Sequence, residues 1–128
     1  MWSISLLNFF DRGFLMIFTY PLKKNDDFKT VYKNGRSRAN RYFIMYTLSN
    51  SHDYNRIGIS VSKKVGNSVQ RHRIKRLVKE SYRLHEEMFN SGLDIVVIAR
   101  NGAADLSFKD VESALLHLLK LHKAIKLA

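Results

Sequence analysis

The 128-residue chain contains no cysteine. That excludes disulfides, thiolate nucleophiles and cysteine-based zinc sites, and it suits a reducing compartment. Proline occurs once, as Pro21, and glycine six times, too few for a long flexible linker. Acidic residues are scarce as well. Against 22 Lys and Arg stand 11 Asp and Glu, a net charge of +11. A folded chain this basic most often meets nucleic acid, with an anionic membrane surface as the second case. No uninterrupted apolar run is long enough to span a bilayer. Residues 1–20, MWSISLLNFFDRGFLMIFTY, come nearest, but Asp11, Arg12 and Gly13 break them at the centre, where charge is costly. They also lack the early positive charge and small-residue cleavage site of a signal peptide. No membrane role is expected.

What is present supports one modest core and one domain: hydrophobic residues make up 45% of the chain. Residues 1–15 read as a non-native or disordered extension, with Met16 as the true start and a single domain over 16–128. The competing reading packs Trp2, Leu6, Phe9 and Phe10 on the domain as an ordered extension.

From Leu22 onward the pattern is regular. NDDFKTVYKNG predicts a short helix in which Asn25 caps the start, Asp26 and Asp27 suit its positive end, and Gly35 forms a left-handed stop. RYFIMYTLS predicts a strand over 41–49, with a short strand possible near 36–39. SHDYN is a polar hairpin loop. In RIGISVS, Ile57, Ile59 and Val61 alternate with Gly58, Ser60 and Ser62. A helix follows from Asn67 or Ser68 to about Met88, then a buried strand over 94–99. The final helix is capped by Ser107, with Asp110 three residues on, and bears the stripe Val111, Leu115, Leu118, Leu119. The order α-β-β-β-α-β-α predicts an α+β fold: a two-layer α/β sandwich with a mixed four-stranded sheet and helices packed on one face.

KKVGNSVQRHRIKR, residues 63–76, holds six Lys or Arg and no acid. On a helical wheel Ile74, Leu77, Val78, Ser81 and Tyr82 share one arc, and His72, Lys75, Arg76, Lys79 and Arg83 the opposite one. Arg73 lies at the edge between the arcs, and Arg71 projects on the apolar side in the first turn. A solvated face would mix signs, because like charges at i,i+4 cost about 0.2–0.5 kcal/mol each. Here Arg71–Lys75, Lys75–Lys79 and Lys79–Arg83 stack like on like, and Arg76–Glu80 is the one opposite pair expected. Gly66 fits a tight turn with a positive φ and close approach of a phosphate. The amides of Ser68, Val69 and Gln70 then face an anion at the helix start, with Gly66, Asn67 and Ser68 as its frame. The spacing is not that of a P-loop.

Aromatic residues form the second constellation. Phe28 and Tyr32 lie one helical turn apart; Tyr42, Ile44 and Tyr46 share one strand face, Phe43 and Met45 the other. One set is core and the other is free to stack unpaired bases. Periodicity alone does not choose between them. A protein-only nuclease needs gathered carboxylates or a histidine pair. The five histidines show no HxH or HxxxH spacing, and Asp26–Asp27 is explained by the helix start.

VSKKVGNSVQRHRIKRLVKESYR resembles the signature run of the bacterial ribonuclease P protein family. LKKNDDFKTVYKNGRSRANRYFIMY resembles that family's N-terminal stretch and DIVVIAR its last strand, so the likeness spans about residues 22–120. The resemblance implies a ribosomal S5 domain 2-like sandwich with a left-handed βαβ crossover. It implies a cytoplasmic, monomeric RNA-binding subunit that assists a catalytic RNA in removing the 5′ leader of precursor tRNA. By the same resemblance, the chemistry and its Mg2+ would belong to the RNA. Carried over by position, Arg71, His72, Arg73, Lys75, Arg76 and Lys79 would face the catalytic RNA. Phe28, Tyr32, Ile44, Tyr46, Ser60, Ser62, Lys63 and Lys64 would hold the leader. His72 stands where the family has asparagine, which keeps a donor but loses the planar amide. From the residues alone, a structural RNA-binding protein such as a ribosomal component or RNA chaperone remains the alternative. A helix-turn-helix DNA reader is disfavoured, since the basic helix follows a strand directly.

Overall fold

The computed structural model describes residues 19–123; the readings of residues 1–15 and of Met16 lie outside them. Along the chain run β1 (Thr19–Pro21), α1 (Asn25–Asn34), β2 (Arg36–Ala39), β3 (Phe43–Ser49) and β4 (Asn55–Ser60). They are followed by α2 (Ser68–Leu84), β5 (Leu93–Ala99) and α3 (Phe108–Leu121), with short 3-10 turns at Glu86–Met88 and Asn101–Ala103.

The strands form one mixed sheet ordered β1-β4-β5-β3-β2. β4 and β5 are parallel, as are β1 and β4, while β5–β3 and β3–β2 are antiparallel. Parallel neighbours need a crossover, and α2 supplies it between β4 and β5. β3 alternates Phe43, Met45 and Thr47 inside with Ile44, Tyr46 and Leu48 half-buried, the period of two of a sheet whose faces differ. β5 is central, so Ile95, Val96 and Val97 are all buried.

On one face α2 and α3 close the main core. Ile74, Val78 and Tyr82 meet Val111, Leu115, Leu118 and Leu119 over Phe43, Met45, Ile95 and Val97. The other face carries a smaller cluster in which Val31 of α1 and Leu22 pack on Val96. The α+β sandwich and its mixed sheet are as expected, with two differences. The sheet has five strands, not four, because β1 adds a parallel edge through Thr19↔Asn55. Also, α1 sits opposite α2 and α3 rather than beside them. Val96, Ile98 and Leu48 make the second face apolar enough to need cover.

Local details differ too. α1 has no side-chain cap; its N-cap is Lys24 and Asn25 is already helical. Gly35 is extended (φ −80°) rather than left-handed. It is glycine because a Cβ would stand 2.5 Å from the Val31 carbonyl oxygen and 2.9 Å from that of Thr47. α2 ends at Leu84, not Met88, with a 3-10 turn after it. The cap foreseen for α3 is a full capping box between Ser107 and Asp110.

Candidate nucleic-acid interface

α2 starts on a reciprocal cap: Asn67 Oδ1 accepts from the Gln70 amide at 2.8 Å, and Gln70 Oε1 accepts from the Asn67 amide at 2.9 Å. The Gln70 amide is thereby taken, so the helix start offers the amides of Ser68 and Val69 only. No acid stands in the first turn. Gly66 has no positive φ; among the described residues the only such glycine is Gly92. Its added Cβ would meet Gln70 Oε1 at 2.5 Å, so Gly66 makes room for the cap.

The buried arc of α2 is Ile74, Val78, Ser81 and Tyr82. Tyr82 fixes the helix to the β1–β4 edge: its hydroxyl shares a 2.7 Å hydrogen bond with Thr19 and accepts from Asn55 at 3.3 Å. Burial pushes its phenol up to about 12. The outer arc brings His72, Lys75, Arg76, Lys79 and Arg83 together. Glu80 pairs with Arg83, one turn on, rather than with Arg76. Lys75 and Arg76 have no acidic partner among the described residues. Two of the predicted contact residues also hold backbone carbonyls: Arg73 Nη1 donates to the Leu106 carbonyl at 2.7 Å, and Arg71 Nε to that of Asn67 at 3.4 Å. His72 Nδ1 lies 3.1 Å from the Ser68 carbonyl oxygen. Ser68, Val69, His72, Arg73, Arg76, Leu77 and Glu80 line a shallow groove of about 680 Å³, in which Val69 is 78% exposed.

The aromatic set converges on the opposite face of the sheet. α1 lays Phe28 over Gly58, where a Cβ would come within 2.4 Å of the ring. Tyr32 stands 6.2 Å from Phe28 and 5.1 Å from Tyr46, edge-on to the latter. Tyr32 is 38% exposed. Its phenol is raised by burial, with a hydrogen bond to Ser60 opposing. The sheet register aligns Ser60, Ile98 and Ile44 as one row of the floor. Ser62, Lys63 and Lys64 lie in the turn that leaves β4, and all three are exposed. Phe43 and Met45 are core, which settles the strand orientation that periodicity left open. The basic helix and the aromatic floor are therefore on opposite faces, joined by the Lys63–Gly66 turn.

Sequence reasoning missed three features. Ile98 belongs to the floor, though its run reads as uniformly buried. Arg56 grips the buried Asp94 at 2.8 and 2.6 Å and reaches Asp27 at 3.5 Å, tying α1 to the sheet. Burial alone would raise the Asp94 carboxyl, but hydrogen bonds from Arg56 and Asn50 outweigh it and hold it below the usual range. Tyr20, Tyr54 and His52 cluster at the end of the sheet, with centroids 4.7 and 4.6 Å apart. Arg56 with Asp94 and Tyr20 with Tyr54 are too distant in sequence to leave a local signal.

A small α+β domain with a strongly cationic helix, on which Lys75 and Arg76 have no acidic partner among the described residues, and an aromatic floor belongs to the class of basic nucleic-acid-binding proteins. Residues 17–123 match the Ribonuclease P family, and the chain belongs to it. A Ribonuclease P protein component of Lachnoclostridium phytofermentans is 58% identical over 104 residues, 81% of this chain and 90% of that protein. The solved RNase P protein of Staphylococcus aureus superposes with a TM-score of 0.78 at 44% identity, covering 84% of this chain and 98% of that one. That of Thermotoga maritima gives 0.73 at 36% identity, with 79% and 96% covered.

Proposed function

We propose that this chain is the protein subunit of a ribonuclease P holoenzyme, working in the cytoplasm and monomeric in itself. It binds a catalytic RNA and the 5′ leader of precursor tRNA, and assists removal of that leader. The observation that carries this reading is the outer arc of α2, where Lys75 and Arg76 have no acidic partner among the described residues. Cations left unpaired on a folded helix are offset by phosphates, and releasing the counterions of those phosphates drives association.

The leader, a single strand, lies across the Ser60–Ile98–Ile44 row with its bases against Tyr32, Tyr46 and Phe28. Lys63 and Lys64 meet its backbone, and Gly66, Asn67 and Ser68 frame one phosphate at the start of α2. Magnesium supports the cleavage step from within the RNA. Four carboxylates among the described residues are engaged with basic groups of this chain. Asp94, Asp27, Glu80 and Glu112 face Arg56, Arg83 and His85, and no step is routed through them. A purely structural RNA-binding role is not favoured by relatives of this identity.

Reconstitution tests the reading. Purified protein added to the catalytic RNA at low magnesium should stimulate 5′ processing of precursor tRNA. Binding without stimulation would leave a structural RNA-binding protein instead.

A further inference from the structure

β2 is the sheet edge farthest from β1 and α2. All four of its residues are exposed. Arg36 and Arg38 pair with Thr47 and Met45, so both project on the α3 side of the sheet. The end of α3 lies beside them: His122 shares a 3.1 Å hydrogen bond with Thr47, and both arginines act electrostatically on its ring. Asn34, Arg36, Asn90, His122 and Lys123 line a depression of about 340 Å³. Asn90 also donates to the Lys123 carbonyl at 3.5 Å. Arg36, Arg38 and Lys123 have no acidic partner among the described residues.

We propose that this β2 edge is a second RNA-binding surface, which takes the ribose-phosphate backbone of a strand held by neither α2 nor the aromatic floor. It rests on the reading above only in taking RNA as the polyanion. Arginines two apart on one face of a strand are about 6.7 Å apart, the scale of successive phosphates along an RNA strand. Arginine's fork suits phosphate oxygens bidentately, and the amides of Asn34 and Asn90 add neutral donors beside it. Charged side chains on an edge strand also prevent edge-to-edge pairing. That role needs charge on β2 alone; it accounts neither for Lys123 nor for the two asparagines converging on one depression.

The test uses the reconstituted holoenzyme, in which the proposed function has catalytic RNA cover α2, and a labelled oligouridylate of about 16 nucleotides. Arg36→Gln/Arg38→Gln/Lys123→Gln should weaken oligouridylate binding about tenfold at low salt and lower the log–log salt slope by about 2, at roughly 0.7 per phosphate. Affinity for the catalytic RNA should stay within about twofold. Tyr46→Ala, run alongside, marks the share of binding held by the aromatic floor. The pair Arg36→Gln/Lys123→Gln, with β2 half intact, should move in the same direction and guards against a folding defect in the triple variant.

Unchanged oligouridylate binding in both variants overturns the proposal, as does self-association of the triple variant with RNA binding intact. An equal loss of catalytic-RNA affinity would make the edge part of the first interface and overturn its independence. Equal binding of polyglutamate would overturn RNA as the partner. Failure of the wild-type holoenzyme to process precursor tRNA is read separately and strikes the proposed function, not the edge.

Discussion

A methyl group added to Gly66 would stand 2.5 Å from Gln70 Oε1 and 3.1 Å from Gln70 Cβ. A glutamine tip normally swings away at little cost, but this one is held by the Asn67 amide. Gly66→Ala therefore has to break the capping box, and the expected loss is about 1 kcal/mol. Urea unfolding checks it. Gln70→Ala should lose a similar amount, and the double variant should lose less than the sum, because both remove the same contact. Tyr46 shows what a side chain on the aromatic floor does. Its ring meets Tyr32 edge-on and is only partly buried. One stacked base is worth about 1–3 kcal/mol, so Tyr46→Ala should weaken leader-bearing precursor by about tenfold and leave mature tRNA unchanged. Equal losses on both RNAs would remove the leader from this face.

At the scale of elements, the charge of α2 acts as a unit. Replacing Lys75 and Arg76 with glutamine removes two phosphate partners while leaving Ile74, Val78 and Tyr82 to hold the helix. The salt slope for the catalytic RNA should fall by about 2, at roughly 0.9 per contact on duplex; a filter-binding titration across salt reads it, and an unchanged slope would clear α2 of phosphate contact. The arcs of this helix were legible in the sequence because 3.6-residue periodicity is local and long. The cap at Ser107 was legible for the same reason, since its partner Asp110 is three residues away. β1 was not: three residues ending in proline carry no alternation, and their pairing partner lies at Asn55. The side of the sheet taken by α1 was equally hidden. It is set by Phe28 over Gly58, and that contact joins residues about thirty apart. Periodicity showed that β3 has two faces but not which one meets α2. Glu80 chose Arg83 over Arg76, a choice between two spacings that are both good on a helix.

For the whole molecule, each face of the sheet is locked by a group that titrates. On the α3 side, His122 is 6% exposed. Its Nε2–H donates to the Met45 carbonyl at 2.7 Å, and its Nδ1 faces Thr47. Burial lowers its pKa below 6.5; the Met45 bond opposes this, and Arg38 and Arg36 add to it. Below pH 6.5 the unfolded chain therefore binds more protons than the folded one, so unfolding takes up protons and stability falls as the solution is acidified. The contribution is fully present above 6.5 and is lost as pH falls through the folded value. On the α1 side, Asp94 is held below 3.8 by Arg56 and Asn50, so its contribution is present above 3.8 and is lost only in stronger acid. Urea midpoints across pH should show both limbs. His122→Gln, which has no proton to gain, should flatten the limb that begins at about 6.5 and leave the lower one. Asp94→Asn should do the reverse, while costing about 2 kcal/mol at neutral pH for the lost charged hydrogen bonds. If His122→Gln kept the upper limb, the link between α3 and β3 would not be the seat of the acid sensitivity, and another group would have to carry it.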